Sequence, residues 1–195
     1  SPGKFLVLEE LFSERPFSGS TETERQAIIE ADQWVTDNVT ALHFFSCIDT
    51  REGQTTKRNA MKMANVILPT TDSLPGWFKK AVIPFWPFIL RTAGFVKRAA
   101  NMLDTRKDIK VLHAEVLQGF ESRVSKTGFL AGTEQLSFAD IAAFAEIAFC
   151  STHEFEGTLN TTSSEEVSSW YDRVRAELPK NPKPELFPKW PPIGF

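Results

Sequence analysis

The feature that most constrains the fold of this chain is a helix start at Ser137 that opens a long apolar run. Ser137 and Asp140 have the spacing of a capping box, in which an acidic side chain at the third helical position reaches back to the amide of the cap residue. Residues 141–145, with the sequence IAAFA, are all apolar. A helix that is apolar on nearly every face belongs inside a bundle rather than on its surface. We therefore predict an all-α helical bundle around this helix, with Ser137 and Asp140 as structural N-cap residues.

Helical periodicity extends through most of the remaining sequence. Thr21 and Glu24 form a second capping-box spacing, and the apolar stripe behind them predicts the first helix. A later stripe stops at Pro69, residues 70–76 are turn-rich, and the interval 105–125 predicts a long helix. The stripe that stops at the proline consists of Ala60, Met61, Ala64, Ile67 and Leu68. The best strand candidate is a four-residue run near the N-terminus, which has no partner strand to satisfy its backbone.

Two segments combine aromatic side chains with prolines. The first is residues 77–103. Its Pro84 and Pro87 predict a break in the helix, because proline removes a helix hydrogen bond, and a helix from about 88 to 102 is expected to follow. The second is the proline-rich tail at residues 180–195, which cannot fold alone and is expected to pack on its own bundle or on a neighbour. The candidate partner-binding residues from the two segments are Trp77, Lys79, Lys80, Trp86, Arg91, Lys97, Arg98, Phe187 and Trp190.

Charge is distributed unevenly along the chain. The net charge is −3, yet residues 1–50 carry a net −6, and residues 51–100 carry +7 from nine basic and two acidic side chains. The basic quarter is interpreted as a solvated face that pairs with the acidic first quarter, as a docking surface for an acidic protein, or as an RNA contact. RNA is the weakest interpretation, because nucleic-acid-binding domains usually have a pI above about 9, whereas this chain has a pI near 5.7. The cations are Arg51, Lys57, Arg58, Lys62, Lys79, Lys80, Arg91, Lys97 and Arg98.

No residue pattern indicates a catalytic group, a cofactor or a metal. Cys47 and Cys150 lie beside apolar residues, so we expect buried free thiols in a reducing compartment. The histidines are scattered along the sequence, and the two closely spaced carboxylates are expected to be solvated; these residues are His43, His113, His153, Glu154 and Glu156. The longest uncharged apolar stretch falls well short of the roughly 20 residues that a membrane-spanning helix needs.

The stretch around Ser137 resembles the all-helical C-terminal domain of the glutathione transferase family. The family pattern is a FLAG turn, here residues 129–132, followed by the Ser-x-x-Asp start of a central buried helix and later by a helix with Trp170 and Arg173. This similarity covers about residues 105–180. A weaker similarity links the first predicted helix to the transferase-like domains of the gamma subunit of eukaryotic elongation factor one and of proteins associated with tRNA synthetases.

In that family an N-terminal thioredoxin-like domain binds glutathione and supplies the catalytic Tyr, Ser or Cys. Only about 20 residues precede the first predicted helix, fewer than one βαβ unit requires. The resemblance therefore implies that this chain does not complete a glutathione site by itself. We divide it into an extension (1–19), a bundle (20–179) that is elaborated at 45–104, and the tail (180–195).

The leading functional hypothesis is a non-catalytic interaction or scaffold module that binds protein partners in a multisubunit, translation-associated assembly. The alternative is the electrophile-binding half of a divergent glutathione transferase, and the third hypothesis is an RNA-contacting accessory protein. We expect no cofactor and an intracellular location. Because the chain opens with Ser1 rather than methionine, both the cytoplasm and an organelle reached through a removed leader are open.

Overall fold

The computed structural model describes residues 17–70 and 75–178, and this part of the chain is helical without a strand. A π-helix at Val35–Thr40 joins the first two helices into one continuous rod, and short 3-10 turns lie at Thr50–Glu52, Leu68–Thr70 and Ile83–Phe85. The α-helices are α1 (Glu22–Trp34), α2 (Ala41–Ile48), α3 (Gln54–Ile67), α4 (Gly76–Val82), α5 (Trp86–Thr92), α6 (Gly94–Ala100), α7 (Ile109–Thr127), α8 (Phe138–Thr152) and α9 (Glu165–Glu177). The predicted all-α fold is confirmed.

Helix α8 lies at the centre of the main bundle, and its start is fixed by the fully buried Asp140. The carboxylate accepts hydrogen bonds from the Ser137 N–H at 3.1 Å and the Ser137 hydroxyl at 2.5 Å. It also accepts from the Leu130 N–H at 2.9 Å and from the Trp170 Nε1–H at 3.0 Å. One side chain therefore joins the FLAG turn, the start of α8 and helix α9.

The main bundle is completed by α1, α7 and α9, whose apolar faces meet around α8. The capping box at the start of α1 is present, with the Glu24 N–H donating to Thr21 Oγ1 at 3.2 Å and the Glu24 carboxylate accepting the Thr21 N–H at 3.1 Å. Phe120 of α7 is fully buried and meets the Trp170 ring edge-on, with 4.9 Å between the ring centroids. These contacts account for the periodicity that the sequence displays in the same helices.

A second apolar cluster joins helices α3–α6, which we call the elaborated layer, to the α2 side of the bundle. It contains Cys47, Ala60, Met63, Leu90, Val96, Cys150 and Phe155. Arg51 adds a polar connection, because its guanidinium forms a two-point pair with Asp49 and also donates to the carbonyls of Arg106 and Lys107. The layer therefore packs on the bundle through its own small core.

Two helix boundaries and one buried position differ from the sequence-based expectation. The single helix predicted at 88–102 is two helices, because Ala93 adopts an extended conformation (ψ 116°) and caps α6. The helix predicted at 105–125 begins later, since Asp108 is its N-cap and accepts the Lys110 N–H at 2.8 Å. In the second predicted stripe Ile67 is 41% exposed, and Met63 takes the buried place instead.

The predicted strand candidate near the N-terminus, residues 1–16 of the predicted extension (1–19) and the tail at 180–195 lie outside the described residues, as do residues 71–74 of the predicted loop. The domain boundaries given above remain predictions.

Candidate interaction surface

Helices α4, α5 and α6 are each seven residues long, and prolines and a glycine set their limits. Pro84 lies in the 3-10 turn after α4, Pro87 occupies the first turn of α5, and Gly94 begins α6. Proline is tolerated at a helix start, where its missing N–H is not needed. Leu90 and Val96 are buried and hold this part of the layer on the second apolar cluster.

Apart from Trp86, the aromatic side chains of residues 76–100 face solvent. Trp77 is 73% exposed, Phe85 67%, Phe88 68% and Phe95 60%. Phe78 is the fifth exposed ring, and within the described residues every exposed large aromatic side chain lies in this segment. Scattered exposed apolar residues are ordinary on protein surfaces, but a concentration of this kind marks an interaction site.

In the sequence, the cations of the same helices alternate with these rings. Lys80, Lys97 and Arg98 are exposed, and Lys79 is half-buried and donates to the Pro69 carbonyl at 3.3 Å. The sequence has no acidic residue between Asp72 and Asp104. In the described ranges these four cations form no ion pair. We call Trp77, Phe78, Phe85, Phe88 and Phe95, together with Lys79, Lys80, Lys97 and Arg98, the aromatic–basic surface.

Part of this charge also has a local structural role. Lys79 and Lys80 lie in the last turn of α4, and Lys97 and Arg98 lie in the last turn of α6. Cations at the C-terminus of a helix interact favourably with the helix dipole. The charges therefore stabilise these short helices while they remain available to a partner.

Three cations earlier in the basic quarter, Arg51, Arg58 and Lys62, are partnered. Arg51 pairs with Asp49, Arg58 Nη2 lies 3.0 Å from Glu156 Oε1, and Lys62 Nζ donates to the Glu154 carbonyl at 2.6 Å. Pairing with the acidic first quarter thus holds for Arg51, whereas Arg58 finds its partner in the fourth quarter. Glu154 and Glu156 are exposed, in agreement with the expectation that both carboxylates are solvated, and Glu156 in addition pairs with Arg58.

Two candidate residues, Trp86 and Arg91, are less accessible than the sequence suggested. Trp86 packs against the second apolar cluster, and its Nε1–H is buried without a hydrogen-bond partner in the described part of the chain. The Nε atom of Arg91 is also buried without a hydrogen-bond partner in the described part of the chain. Phe187 and Trp190 lie outside the described residues.

The cysteines are free and buried, as expected. Burial raises the pKa of the Cys47 thiol to about 12, and burial also raises the pKa of Cys150. Since the thiolate is the reactive form, neither thiol is a nucleophile in this environment. His113 is half-buried, and desolvation lowers its pKa.

The interpretation of the histidines as scattered is wrong for His43. This residue contacts Glu146 and lies beside Cys150, although the two partners are more than 100 positions away in the sequence. The available signal was the spacing of four residues from His43 to Cys47 and from Glu146 to Cys150, which places each pair on one face of a helix.

The comparison with known families concerns the second half of the chain. Residues 86–177, from the start of α5 to the end of α9, match the family described as glutathione S-transferase, C-terminal domain. The chain carries a glutathione S-transferase C-terminal-like domain. No curated protein and no solved structure gives a significant match.

This glutathione S-transferase C-terminal-like domain contains the Asp140 junction and four of the nine residues of the aromatic–basic surface, Phe88, Phe95, Lys97 and Arg98, while the other five precede the matched range. The similarity to translation proteins remains a prediction. Among the described helices, none has the length and apolar character needed to cross a bilayer.

Proposed function

We propose that this glutathione S-transferase C-terminal-like chain is a non-catalytic interaction module that binds an acidic protein partner through the aromatic–basic surface. The observation that carries the proposal is the coincidence of five exposed rings with four exposed or half-exposed cations in a segment without acidic residues. The partner completes the apolar burial that α4–α6 leave open.

The exposed rings supply the apolar part of the interface. Trp and Phe bury large areas at low conformational cost and are enriched in the cores of protein interfaces. Phe85, Phe88 and Phe95 are each at least 60% exposed, so most of their surface is available to a partner. Each is therefore a candidate hot-spot residue.

The cations orient the partner on the aromatic–basic surface. Lys80, Lys97 and Arg98 are exposed and form no ion pair within the described residues, so a partner can engage them without breaking an existing contact. Opposite charges across an interface speed association and exclude like-charged competitors. An acidic or partly acidic face with apolar pockets for the rings fits this arrangement.

A protein fits better than RNA or an anionic bilayer. Residues 1–50 carry a net −6, and the whole chain carries −3. A polyanion extending over tens of ångströms would repel this acidic remainder, whereas a protein partner presents negative charge only where it meets the surface. We therefore retain protein binding within a multisubunit assembly as the proposal, with a translation-associated complex as the first setting to test.

The experiment is site-specific photo-crosslinking in cells. A photoreactive phenylalanine analogue replaces Phe88 in one variant and Val111, a 47% exposed residue of α7, in the control. The adduct formed at Phe88 identifies the partner, which is then purified. Its affinity is measured for the wild-type chain, for a Phe88→Ala/Phe95→Ala variant and for a Lys97→Glu/Arg98→Glu variant.

We expect each double variant to bind the partner at least about tenfold more weakly. Matched controls, Ile29→Ala/Val111→Ala and Lys110→Glu/Lys126→Glu, should retain wild-type affinity. Equal adducts at both crosslinking positions, or equal losses in the controls, would contradict the proposal. Tighter binding to RNA or to anionic vesicles than to any protein would also contradict it. So would conjugation of a chromogenic electrophile to glutathione by the purified chain, which would favour the transferase alternative.

A further inference from the structure

Helices α2 and α8 each direct two potential metal ligands into the space between them. His43 and Cys47 are four residues apart on α2, and Glu146 and Cys150 are four residues apart on α8. Residues spaced by four lie on the same face of a helix. His43 is 4% exposed and both cysteines are at most 1% exposed, whereas the Glu146 side chain is 21% exposed, so the cluster reaches the surface at its carboxylate.

The donor atoms of His43, Glu146 and Cys150 lie within 4.8 Å of one another. The imidazole Nδ1 of His43 contacts the carboxylate of Glu146 directly. Cys47 borders this group: its sulfur lies 3.9 Å from the Ser46 hydroxyl, and it interacts electrostatically with Glu146 and Cys150. A nitrogen, a carboxylate oxygen and a sulfur therefore converge, with a second sulfur beside them.

The surroundings of His43 indicate which imidazole nitrogen could bind a metal. Nδ1 is the nitrogen that contacts Glu146, so it is the one that a metal shared with Glu146 would take. Nε2 lies on the opposite edge of the ring, where it is buried without a hydrogen-bond partner within the described residues. The rings of Phe44, Phe149 and Phe155 surround this imidazole, with centroids 5.8, 5.5 and 4.6 Å away, and exclude water from it.

We propose that His43, Glu146 and Cys150 form a binding site for a divalent transition-metal ion of the zinc class, with Cys47 as the fourth donor. Zinc prefers this mixture of sulfur, nitrogen and oxygen ligands in a tetrahedron, at about 2.0–2.3 Å from the metal. Such ligands lie roughly 3–4 Å from one another, so small side-chain rotations bring the donors of His43, Glu146 and Cys150 into position. Cys47 lies outside that group of three and needs a larger side-chain movement to reach the same metal. Calcium and magnesium are disfavoured, because they require oxygen ligands.

A four-ligand site is closed and therefore structural rather than catalytic. It would fasten α2 to α8, at the place where the elaborated layer joins the main bundle. Each cysteine binds as a thiolate and releases its proton to solvent when the metal enters. The proposal does not depend on the function proposed for the aromatic–basic surface.

Cobalt(II) titration of the metal-free full-length chain tests the site. Co²⁺ bound to thiolate gives an intense sulfur-to-metal absorption band, and the chain has only two cysteines, both in this cluster. We expect one equivalent of Co²⁺ to produce the band and Zn²⁺ to displace it. We also expect Zn²⁺ to raise the melting temperature of the wild-type chain.

Cys150→Ser and Glu146→Gln should weaken metal binding at least tenfold, while His113→Gln and His153→Gln should leave it unchanged. Circular dichroism reports whether each variant is folded. Should Cys150→Ser fail to fold, the wild-type titration alone decides the question, since only this cluster can produce the band. Absence of the band, or unaltered affinity in folded Cys150→Ser and Glu146→Gln, would show that His43 and Glu146 form only a buried hydrogen-bonded pair.

Discussion

The main bundle buries its large aromatic side chains in its core, whereas the elaborated layer exposes several of its own to solvent. In the bundle, Phe120 and Trp170 are fully buried and Asp140 satisfies four donors. In the layer, Phe88 and Trp77 face solvent, and buried nitrogens of Trp86 and Arg91 lack partners within the described chain. The difference teaches that the bundle spends its aromatic side chains on its own core, whereas the layer leaves several of them in solvent, as the proposed partner binding requires.

The largest expected effect is in the bundle, at Asp140. Asp140→Asn places an NH₂ group among donors that now face carboxylate oxygens, so buried N–H groups lose their acceptor. We expect the free energy of unfolding to fall by about 4 kcal/mol. Urea denaturation measures it. The control, Asp108→Asn at the exposed N-cap of α7, should stay within about 0.5 kcal/mol, because Asn and Asp cap helices equally well. Equal losses at both positions would contradict the special role of Asp140.

Two phenylalanines test the comparison itself. Phe120→Ala removes a fully buried ring and should lower the free energy of unfolding by about 3 kcal/mol. Phe88→Ala removes a ring that is 68% exposed, and the change should be within about 0.5 kcal/mol. Urea denaturation of both variants is the measurement. A loss above about 2 kcal/mol for Phe88→Ala would mean that the layer uses this ring for its own folding.

The bundle could be predicted from sequence, because its signals are local. Ser137 and Asp140 are three residues apart, Thr21 and Glu24 likewise, and each spacing by itself specifies a helix start. The π-helix within the first rod carries no comparable signal.

The layer and the His43 cluster could be predicted only in part. The prolines of the elaborated layer indicate a break in its helices. Whether Phe88 is buried depends on which helix packs over it, which is a property of the tertiary structure and not of the local sequence. His43 and Glu146 meet only because α2 and α8 pack together, so no local pattern reveals their contact.

The next largest difference in the free energy of unfolding is expected between alanine substitutions at two glycines, one that follows α7 and one that begins α6. Gly128 follows α7 with φ +88°, and a Cβ there would overlap Arg173, so Gly128→Ala should cost about 1–2 kcal/mol. Gly94 begins α6, and a Cβ there would meet nothing within 4 Å. Gly94→Ala should therefore be neutral or stabilise by up to about 1 kcal/mol. Thermal and urea denaturation measure both, and a destabilising Gly94→Ala would show that the layer is packed more tightly than its exposed rings indicate.

The smallest expected effect is a pH dependence of the free energy of unfolding that comes from His113 in the main bundle. Desolvation lowers the pKa of His113 in the folded chain, so the unfolded chain binds a proton more readily below its ordinary pKa of about 6.5. The free energy of unfolding should therefore decrease as pH falls from about 7 towards 5, and His113→Gln should make this slope shallower. Urea denaturation across that range measures the slope. An unchanged or steeper slope in the variant would contradict the assignment.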